Sequence, residues 1–355
     1  SCALLTAGGV KCWGRNGSGQ LGDGTRTDRS APVDVVGLAA AVAASGAGLS
    51  HTCALTTAGG VKCWGANWAG QLGDGTTTPR SMPVDVVGLG SGAVAIATGY
   101  AHTCVVTTAG GVKCWGENFH GQLGDGTTTE RWTPVDVMEL ATGAAAIAAG
   151  GSHTCALLTA GGVKCWGRNL WGQLGDGTTT SRGNPVDVVG LGTGVAAIVS
   201  GYSHTCALTT TGGVKCWGNN VAGQVGDGTL TAQNTPVDVM GLGSGVSAIA
   251  AGGSHTCAVT TAGGVKCWGD NERGQLGDGT TTNRSTPVDV VGLGSGAAAI
   301  AAGGFHTCTL VTAGGVKCWG WDIDGQLGLG TTLFSTTPVD VVTLLQFYLP
   351  VVLRR

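Results

Sequence analysis

Residues 51–101 read HTCALTTAGGVKCWGANWAGQLGDGTTTPRSMPVDVVGLGSGAVAIATGYA, and this stretch decides the fold. HTCALT and GVKCWG are short β-prone runs on either side of a Thr-Ala-Gly turn, which predicts a hairpin. A loop then leads to a third run, PVDVV, and GLGSG leads to a fourth run, the small and apolar AVAIA. No segment shows the period or the capping residues of a helix. The stretch therefore predicts four strands.

The same unit recurs along the chain with a constant step of 51 positions. The step runs through seven tryptophans, Trp13 to Trp319, and through seven aspartates in Pro-Val-Asp, Asp34 to Asp340. The 355 residues fall two short of seven full units, with no insertion or deletion, so residues 1–355 are expected to form a single domain. Four strands in each of seven repeats predict an all-β, seven-bladed β-propeller with four antiparallel strands per blade. The small residues of the fourth run suit an innermost strand.

The two chain ends are expected to share one blade. The chain opens on the second strand of a repeat, at Ser1 and without a Met, as a processed product or fragment would. The fourth run occurs only six times, and the tail, residues 343–355, reads TLLQFYLPVVLRR. Val351 follows Pro338 by the same 13 positions that separate Ile96 from Pro83. We expect the tail to supply the closing inner strand, although a proline within it is unfavourable in a ladder. The alternative is a short sorting tail.

All fourteen cysteines fall into seven Cys-x9-Cys pairs. Pairing Cys53 with Cys63 across the hairpin sets Leu55 opposite Val61, on the face that carries both cysteines. Seven matched pairs favour disulfides, hence an oxidising, extracellular or cell-surface location. The alternative is buried reduced thiols that pack as small apolar groups. The predicted pairs are Cys2 with Cys12, Cys53 with Cys63, Cys104 with Cys114, Cys155 with Cys165, Cys206 with Cys216, Cys257 with Cys267 and Cys308 with Cys318.

The pattern G-x-x-HT-x-AL followed by V-x-x-WG-x-N-x-x-GQLG-x-G resembles the repeats of the regulator of chromosome condensation family. The resemblance covers essentially the whole chain and implies a seven-bladed propeller. The family's nuclear nucleotide-exchange member works through an inserted wedge and basic contacts, and this chain has no insertion and few basic residues. The family's plant ultraviolet receptors use GWRHT, where this chain has stretches such as GYAHT and GGFHT. The Cys-x9-Cys pairs resemble bacterial, secreted versions of the repeat.

Composition disfavours several classes of function. Lys and Arg total 18 and the net charge is -3, so there is no basic face for nucleic acid, and no run of eighteen apolar residues could form a membrane-spanning helix.

The repeated Lys and Asp are expected to pair, and Gly-Asp-Gly to form a turn. His51, Cys53 and Cys63 could hold zinc, but a buried His bonded to a neighbouring loop is favoured. We predict no metal and no cofactor.

Positions that differ between repeats are the candidates for function, because binding residues usually lie on loops of a rigid scaffold. Large residues also vary in the place that precedes His-Thr, at Leu49, Tyr100, Tyr202 and Phe305, and after the Thr run, at Trp132 and Phe334. The alternative is that the loop aromatics fold down over the neighbouring blade. The predicted binding residues lie after each Trp-Gly pair: Arg15, Trp68, Glu117, Phe119, His120, Arg168, Trp171, Asp270, Arg273 and Trp321.

The sequence favours a non-enzymatic extracellular binding scaffold that presents these loops to a protein or a cell-surface macromolecule. The second hypothesis is a structural protein that assembles with copies of itself into a filament or surface layer. An enzyme with acids at the channel mouth, drawn from Glu117, Asp270 and Glu272, ranks last, because no unique catalytic constellation can be assembled from the sequence.

Overall fold

Seven antiparallel sheets build the protein. The computed structural model describes residues 1–38 and 41–342, and these form strands, turns and loops without a helix. Six sheets have four strands that neighbour each other in chain order, and the first sheet has three. The prediction of an all-β, seven-bladed propeller is therefore confirmed. None of the described residues forms a helix that is long and apolar enough to cross a membrane.

Each sheet is one blade, and the blades are numbered in chain order. Blades 1 to 3 comprise β1 (Cys2–Leu4), β2 (Val10–Gly14), β3 (Arg29–Asp34); β4 (Val42–Ala47), β5 (His51–Thr56), β6 (Val61–Gly65), β7 (Arg80–Asp85); β8 (Ala93–Thr98), β9 (His102–Thr107), β10 (Val112–Gly116), β11 (Arg131–Asp136). Blades 4 and 5 comprise β12 (Ala144–Ala149), β13 (His153–Leu158), β14 (Val163–Gly167), β15 (Arg182–Asp187); β16 (Val195–Ser200), β17 (His204–Thr209), β18 (Val214–Gly218), β19 (Gln233–Asp238). Blades 6 and 7 comprise β20 (Val246–Ala251), β21 (His255–Thr260), β22 (Val265–Gly269), β23 (Arg284–Asp289); β24 (Ala297–Ala302), β25 (His306–Val311), β26 (Val316–Gly320), β27 (Ser335–Asp340).

The small, apolar fourth run forms the innermost strand, as predicted. β4, β8, β12, β16, β20 and β24 contact one another in succession, and this places them around the central channel. Blade 1 begins on the equivalent of a second strand, so its β1 has one described neighbour, β2. The tail that is expected to pair with β1, residues 343–355, lies outside the described residues. Closure by the tail therefore stays a prediction.

The hairpin of each blade carries a disulfide in the predicted register. Cys53 lies opposite Cys63, Leu55 opposite Val61, and Thr52 opposite Trp64. All seven predicted cysteine pairs are bonded, with Cα–Cα distances of 4.0–4.1 Å, and the described chain has no free cysteine. The predicted ion pair also forms in every blade, since each repeated Lys lies 2.6–2.9 Å from its Asp. These exposed pairs contribute little to stability.

The apolar core lies between neighbouring blades. Trp115 of blade 3, for example, is fully buried in a cluster with Leu55 and the Cys53–Cys63 disulfide of blade 2. The same arrangement closes the ring, because Trp13 of blade 1 packs into the core cluster of blade 7. Each tryptophan thus fastens its own blade to the preceding one by burying a large apolar surface.

A buried chain of hydrogen bonds also joins successive blades. The Thr103 hydroxyl of blade 3 donates to the Gln71 carbonyl oxygen of blade 2 (3.0 Å), and the Trp115 indole donates to the same oxygen (3.0 Å). His51 Nε2 lies 3.0 Å from Thr103 Oγ1. Because the only hydroxyl proton is already donated, Nε2–H must be the donor. The Nε2 atom of His51 therefore bonds a strand of the next blade.

The same hydrogen bonds form where blade 7 meets blade 1. Ser1 takes the place of the threonine: its hydroxyl donates to the Gln326 carbonyl oxygen (2.8 Å) and lies 2.8 Å from His306 Nε2. Trp13 donates to the Gln326 oxygen as well (2.9 Å). The described residues therefore close the ring with the same kinds of polar contact that join blades 2 to 7. At the junction of blades 1 and 2, Thr52 and Trp64 donate to the Gln20 carbonyl oxygen, and blade 1 has no His to add.

Candidate functional site

Two sets of loops open at one end of the propeller. His51, at the start of β5, pairs with Gly65, at the end of β6, so both lie at the same end of blade 2. The loop of residues 48–50 before β5 and the loop of residues 66–79 after β6 therefore share one surface. We call this surface, with the equivalent loops of the other blades, the loop face. The hairpin turns, such as residues 57–60, lie at the opposite end.

A buried asparagine holds each long loop of blades 1 to 6. In blade 2, Asn67 Nδ2 donates to Asp74 Oδ1 (3.2 Å) and to the carbonyl oxygens of Thr76 (3.0 Å) and Thr78 (3.1 Å). Asn67 Oδ1 accepts from the Leu72 amide (3.0 Å), and Asp74 also binds Arg80. We call this arrangement the asparagine clamp. Gly-Asp-Gly is thus turn chemistry, as predicted, and its hydrogen bonds hold the Asp74 pKa below its usual value although burial acts in the opposite direction.

The clamp presents three of the predicted aromatic side chains to solvent. Trp68, Phe119 and Trp171 lie on the long loops of blades 2, 3 and 4 and are 51%, 65% and 39% exposed. This exposure leaves each side chain accessible to a partner, as the predicted binding role requires. Trp321 of blade 7 is half-buried, and the predicted Arg273 of blade 6 stacks over its ring at 4.6 Å.

The mouth of the channel is a cavity of ≈ 390 Å³ within the loop face. It is lined by Leu49, Tyr202 and Phe305, from the positions that precede His-Thr, and by the predicted Arg15 and Trp321. Tyr202 meets Tyr100 of blade 3 edge to face, with ring centroids 5.8 Å apart. The predicted Trp68, Phe119 and Trp171 lie outside this cavity. The structure therefore divides the predicted site into a channel mouth and an outer group.

The positions before His-Thr were recognised as variable but were not included among the predicted binding residues. The signal was present, because Leu49, Tyr100 and Tyr202 stand where blades 4, 6 and 7 have glycine. Only the fold shows that they converge on one opening.

A polar cluster adjoins Tyr202. The Glu117 carboxylate accepts from Gln122 Nε2 (3.1 Å), and its pKa is raised by burial and by Glu130. Burial and the positive charge of Arg168 lower the pKa of His120. Burial raises the Tyr202 pKa, while Arg168 acts against that shift and Glu117 reinforces it. Glu117, His120 and Arg168, all predicted site residues, thus share one electrostatic environment.

Three of the predicted binding residues are arginines that remain available to a partner. The arginines of the clamps pair with aspartates, as Arg80 does with Asp74 (3.1 Å). Within the part of the chain that the structure describes, Arg15, Arg168 and Arg273 form no ion pair. The predicted Asp270 does not join them; it accepts from the amide of Glu272 in its own loop. These guanidinium groups can bind carboxylate or phosphate groups of a partner.

No site among the described residues brings together three or more His, Cys, Asp or Glu side chains in a way that could hold a metal ion. The cysteines that a zinc site would need are consumed by the disulfides. His51 is directed toward Thr103 of the next blade.

Comparison with known proteins gives consistent matches. The model of the RCC1-like domain matches residues 90–351, and the model of the regulator of chromosome condensation (RCC1) repeat matches residues 7–55 and 58–106. The ultraviolet-B receptor UVR8 of Arabidopsis thaliana is 32% identical over 345 residues, which cover 95% of this chain and 78% of the receptor. The human E3 ubiquitin-protein ligase HERC2 is also 32% identical, over 88% of this chain but only 7% of the ligase.

Solved structures share the fold at lower identity. Human WBSCR16 matches with a TM-score of 0.83 at 24% identity, covering 94% of each chain. Yeast RCC1 (Prp20), solved bound to Kap60, matches with a TM-score of 0.82 at 22% identity, covering 96% of this chain and 85% of that one. The repeated motifs, the blade architecture and these matches together show that the chain belongs to the regulator of chromosome condensation (RCC1) repeat family.

Proposed function

We propose that this protein is a non-enzymatic interaction scaffold, which binds a protein or another cell-surface macromolecule through its loop face. The observation that carries the proposal is where sequence variation lies. Residues that repeat from blade to blade form the disulfides, the inter-blade hydrogen bonds and the asparagine clamps of blades 1 to 6. The varied residues Trp68, Phe119 and Trp171 are exposed on the loop face. Aromatic side chains that become buried when a complex forms dominate binding at protein interfaces.

The seven disulfides support an extracellular or cell-surface location. Disulfides persist in oxidising compartments and are rare where thiols are kept reduced. All seven lie at fully or almost fully buried cysteines. The named relatives include a receptor and a ligase, and HERC2 matches over only 7% of its length, so its ligase activity is not transferred to this chain.

Substitution of the outer aromatic group tests the proposal. We expect Trp68→Ala combined with Trp171→Ala to weaken binding of the partner at least tenfold. Truncation of one aromatic hot-spot residue to alanine typically costs about 2 kcal/mol or more of binding free energy. Met138→Ala combined with Met240→Ala is the matched control, since both methionines are exposed (47% and 55%) and lie beside Gly126 and Gly228 of the long loops but are not among the predicted binding residues.

The measurement is affinity capture from the extracellular fraction, followed by titration of each captured protein against all three forms. A protein that binds the wild type and the methionine variant but not the tryptophan variant supports the proposal. Equal binding to all three forms would contradict it.

Self-assembly is the second candidate, favoured by one observation. β1 has no described neighbour on its inner side, so a strand from another copy could add there. Light scattering of the purified protein separates the two functions: the scaffold is expected to be a monomer, and the structural protein a polymer whose size is unaffected by the Trp68 and Trp171 substitutions.

A further inference from the structure

The long loop of blade 7 lacks the asparagine clamp. Asp322 stands where blade 2 has Asn67, Leu329 replaces Asp74, and Ser335 replaces Arg80. The loop has therefore lost both the acceptor that the clamp uses and the arginine that neutralises it. Blade 7 is the only blade with Asp in place of the clamp Asn.

Asp322 nevertheless lies in the same buried position. It is 0% exposed, and its Oδ1 accepts from the Leu327 amide at 2.7 Å, as Asn67 Oδ1 accepts from Leu72 at 3.0 Å. Because Oδ1 keeps its role, Asp322 Oδ2 occupies the place of the asparagine nitrogen. It is buried and has no hydrogen-bond partner among the described residues.

The surroundings of Oδ2 suit a donor and not an acceptor. In blade 2 the amide at this place donates to the carbonyl oxygens of Thr76 and Thr78, and the equivalent residues in blade 7 are Thr331 and Leu333. An ionised carboxylate can only accept hydrogen bonds, whereas the protonated acid has an O–H to donate. A charged oxygen that is buried without a partner destabilises the loop that holds it.

Few charges oppose protonation. Asp324, on the same loop, raises the Asp322 pKa by repulsion, and burial acts more strongly in the same direction, so that the pKa is about 6. The adjoining elements carry several basic and titratable groups. Arg29, beside the Ser30 that contacts the loop, pairs with Asp23 (2.9 Å), Arg273 stacks on Trp321, and Arg15 and His306 line the channel mouth. None of these groups shifts the pKa of Asp322 appreciably.

We propose that Asp322 is a proton-operated latch that closes the blade 7 loop when its carboxyl group is neutral and releases it when the group ionises. The neutral acid donates from Oδ2 to a loop carbonyl and completes a clamp equivalent to that of the other blades. Ionisation replaces this hydrogen bond by repulsion between oxygens. The loop then opens to let water reach the carboxylate.

The latch controls both the channel mouth and the junction of the ring. The same loop places Trp321 and Asp324 at the mouth, and its Gln326 carbonyl oxygen accepts the hydrogen bonds from Ser1 and Trp13 of blade 1. Opening of the loop therefore rearranges the mouth and loosens the contact between blades 7 and 1. The consequence for partner binding, tighter below pH 6 than above it, rests on the proposed function.

Hydrogen exchange of the full chain tests the latch without any partner. With a pKa near 6 in the closed loop and an ordinary aspartate pKa in the open one, protection of residues 321–334 should fall about tenfold from pH 5 to pH 7.5, after correction for the intrinsic exchange rate. The six long loops that carry Asn are internal controls and should not change. Asp322→Asn, which restores the clamp amide, should remove the pH dependence and keep the loop protected at pH 7.5.

The controls separate the latch from other causes. Asp324→Asn leaves Asp322 in place and should retain the pH-dependent opening, shifted to lower pH because the repulsion that raises the Asp322 pKa is removed. An equal loss of protection in all seven loops, or the same loss in the Asp322→Asn variant, would overturn the proposal. If hydrogen exchange of the loop depends on pH but partner binding does not, only the coupling of the latch to the channel mouth is refuted. Loss of the partner interaction in every variant would refute the proposed function and leave the latch standing.

Discussion

Substitution of Gly201 by alanine tests how the blades are joined. Gly201 precedes the His204-Thr pair of blade 5, and its backbone does not require a positive φ. A Cβ at this position would overlap the His204 imidazole ring and would lie 2.6 Å from the Gly252 carbonyl oxygen of blade 6. The ring cannot move aside easily, because it is fully buried and its Nε2 bonds Thr256 at 2.9 Å.

The expected cost follows from these contacts. Overpacking of a tight core costs about 1–3 kcal/mol, and displacement of the ring adds about 1 kcal/mol for the lost hydrogen bond. Gly201→Ala should therefore destabilise the protein by about 3 kcal/mol. At about 2 cal/mol/K per residue, unfolding of 355 residues has an entropy of ~0.7 kcal/mol/K, so Tm should fall by about 4 °C.

Gly192→Ala is the matched control, because a Cβ there meets nothing within 4 Å and the backbone conformation does not require glycine. It should stabilise the protein by about 0.4–1 kcal/mol, because alanine reduces the conformational entropy of the unfolded chain. Thermal and denaturant unfolding under non-reducing conditions measure both variants. The reasoning is refuted if the two substitutions shift Tm alike, or if Gly201→Ala leaves Tm unchanged. Adding His204→Ala to Gly201→Ala should cost less than the sum of the two single changes.

Three further measurements follow from the structure. Burial lowers the pKa of His255 and His306 to about 3, below the value in the unfolded chain, so stability should fall as the pH decreases from about 6.5 toward 3; a flat stability profile over that range would contradict this. Replacing Cys206 and Cys216 together by alanine should cost at most about 3 kcal/mol from the 11-residue loop, beyond the loss of sulfur packing, and leave a folded propeller by circular dichroism. Removing residues 343–355 should lower Tm and increase exchange of the β1 amides if the tail supplies the inner strand; unchanged exchange would favour a sorting tail.

Much of the fold could be predicted from the sequence because the repeat is free of insertions. The constant step of 51 made the Cys53–Cys63 register, the inner position of the small run and the Lys–Asp pairs predictable from local patterns alone. The partner of His51 could not be predicted in this way. It is Thr103, 52 residues further on, and the contact depends on how one blade packs against the next.

The site was predictable only in part, for a related reason. Comparing repeats identified Trp68, Phe119 and Trp171 as exceptions, and their exposure follows from the loop that holds them. The channel mouth gathers Leu49, Tyr202 and Phe305 from blades far apart in sequence, and no local pattern shows that convergence. The Asp322 substitution is visible in the sequence, but its burial and its unpartnered oxygen are not.

The hydrogen bonds between blades have a direction. Blades 2 to 7 each offer a histidine and a glutamine carbonyl to one side and a threonine hydroxyl and a tryptophan to the other, and blade 1 offers its Gln20 carbonyl to one side and Ser1 and Trp13 to the other. The chain therefore resembles a closed head-to-tail assembly of unlike surfaces. Any block of consecutive repeats consequently ends in two complementary surfaces. Separate fragments of three and four repeats should recognise each other and rebuild the ring, and the chain could be reopened at any blade boundary with the same seven junctions. The protein can thus be regarded as a circular oligomer whose subunits happen to be covalently linked.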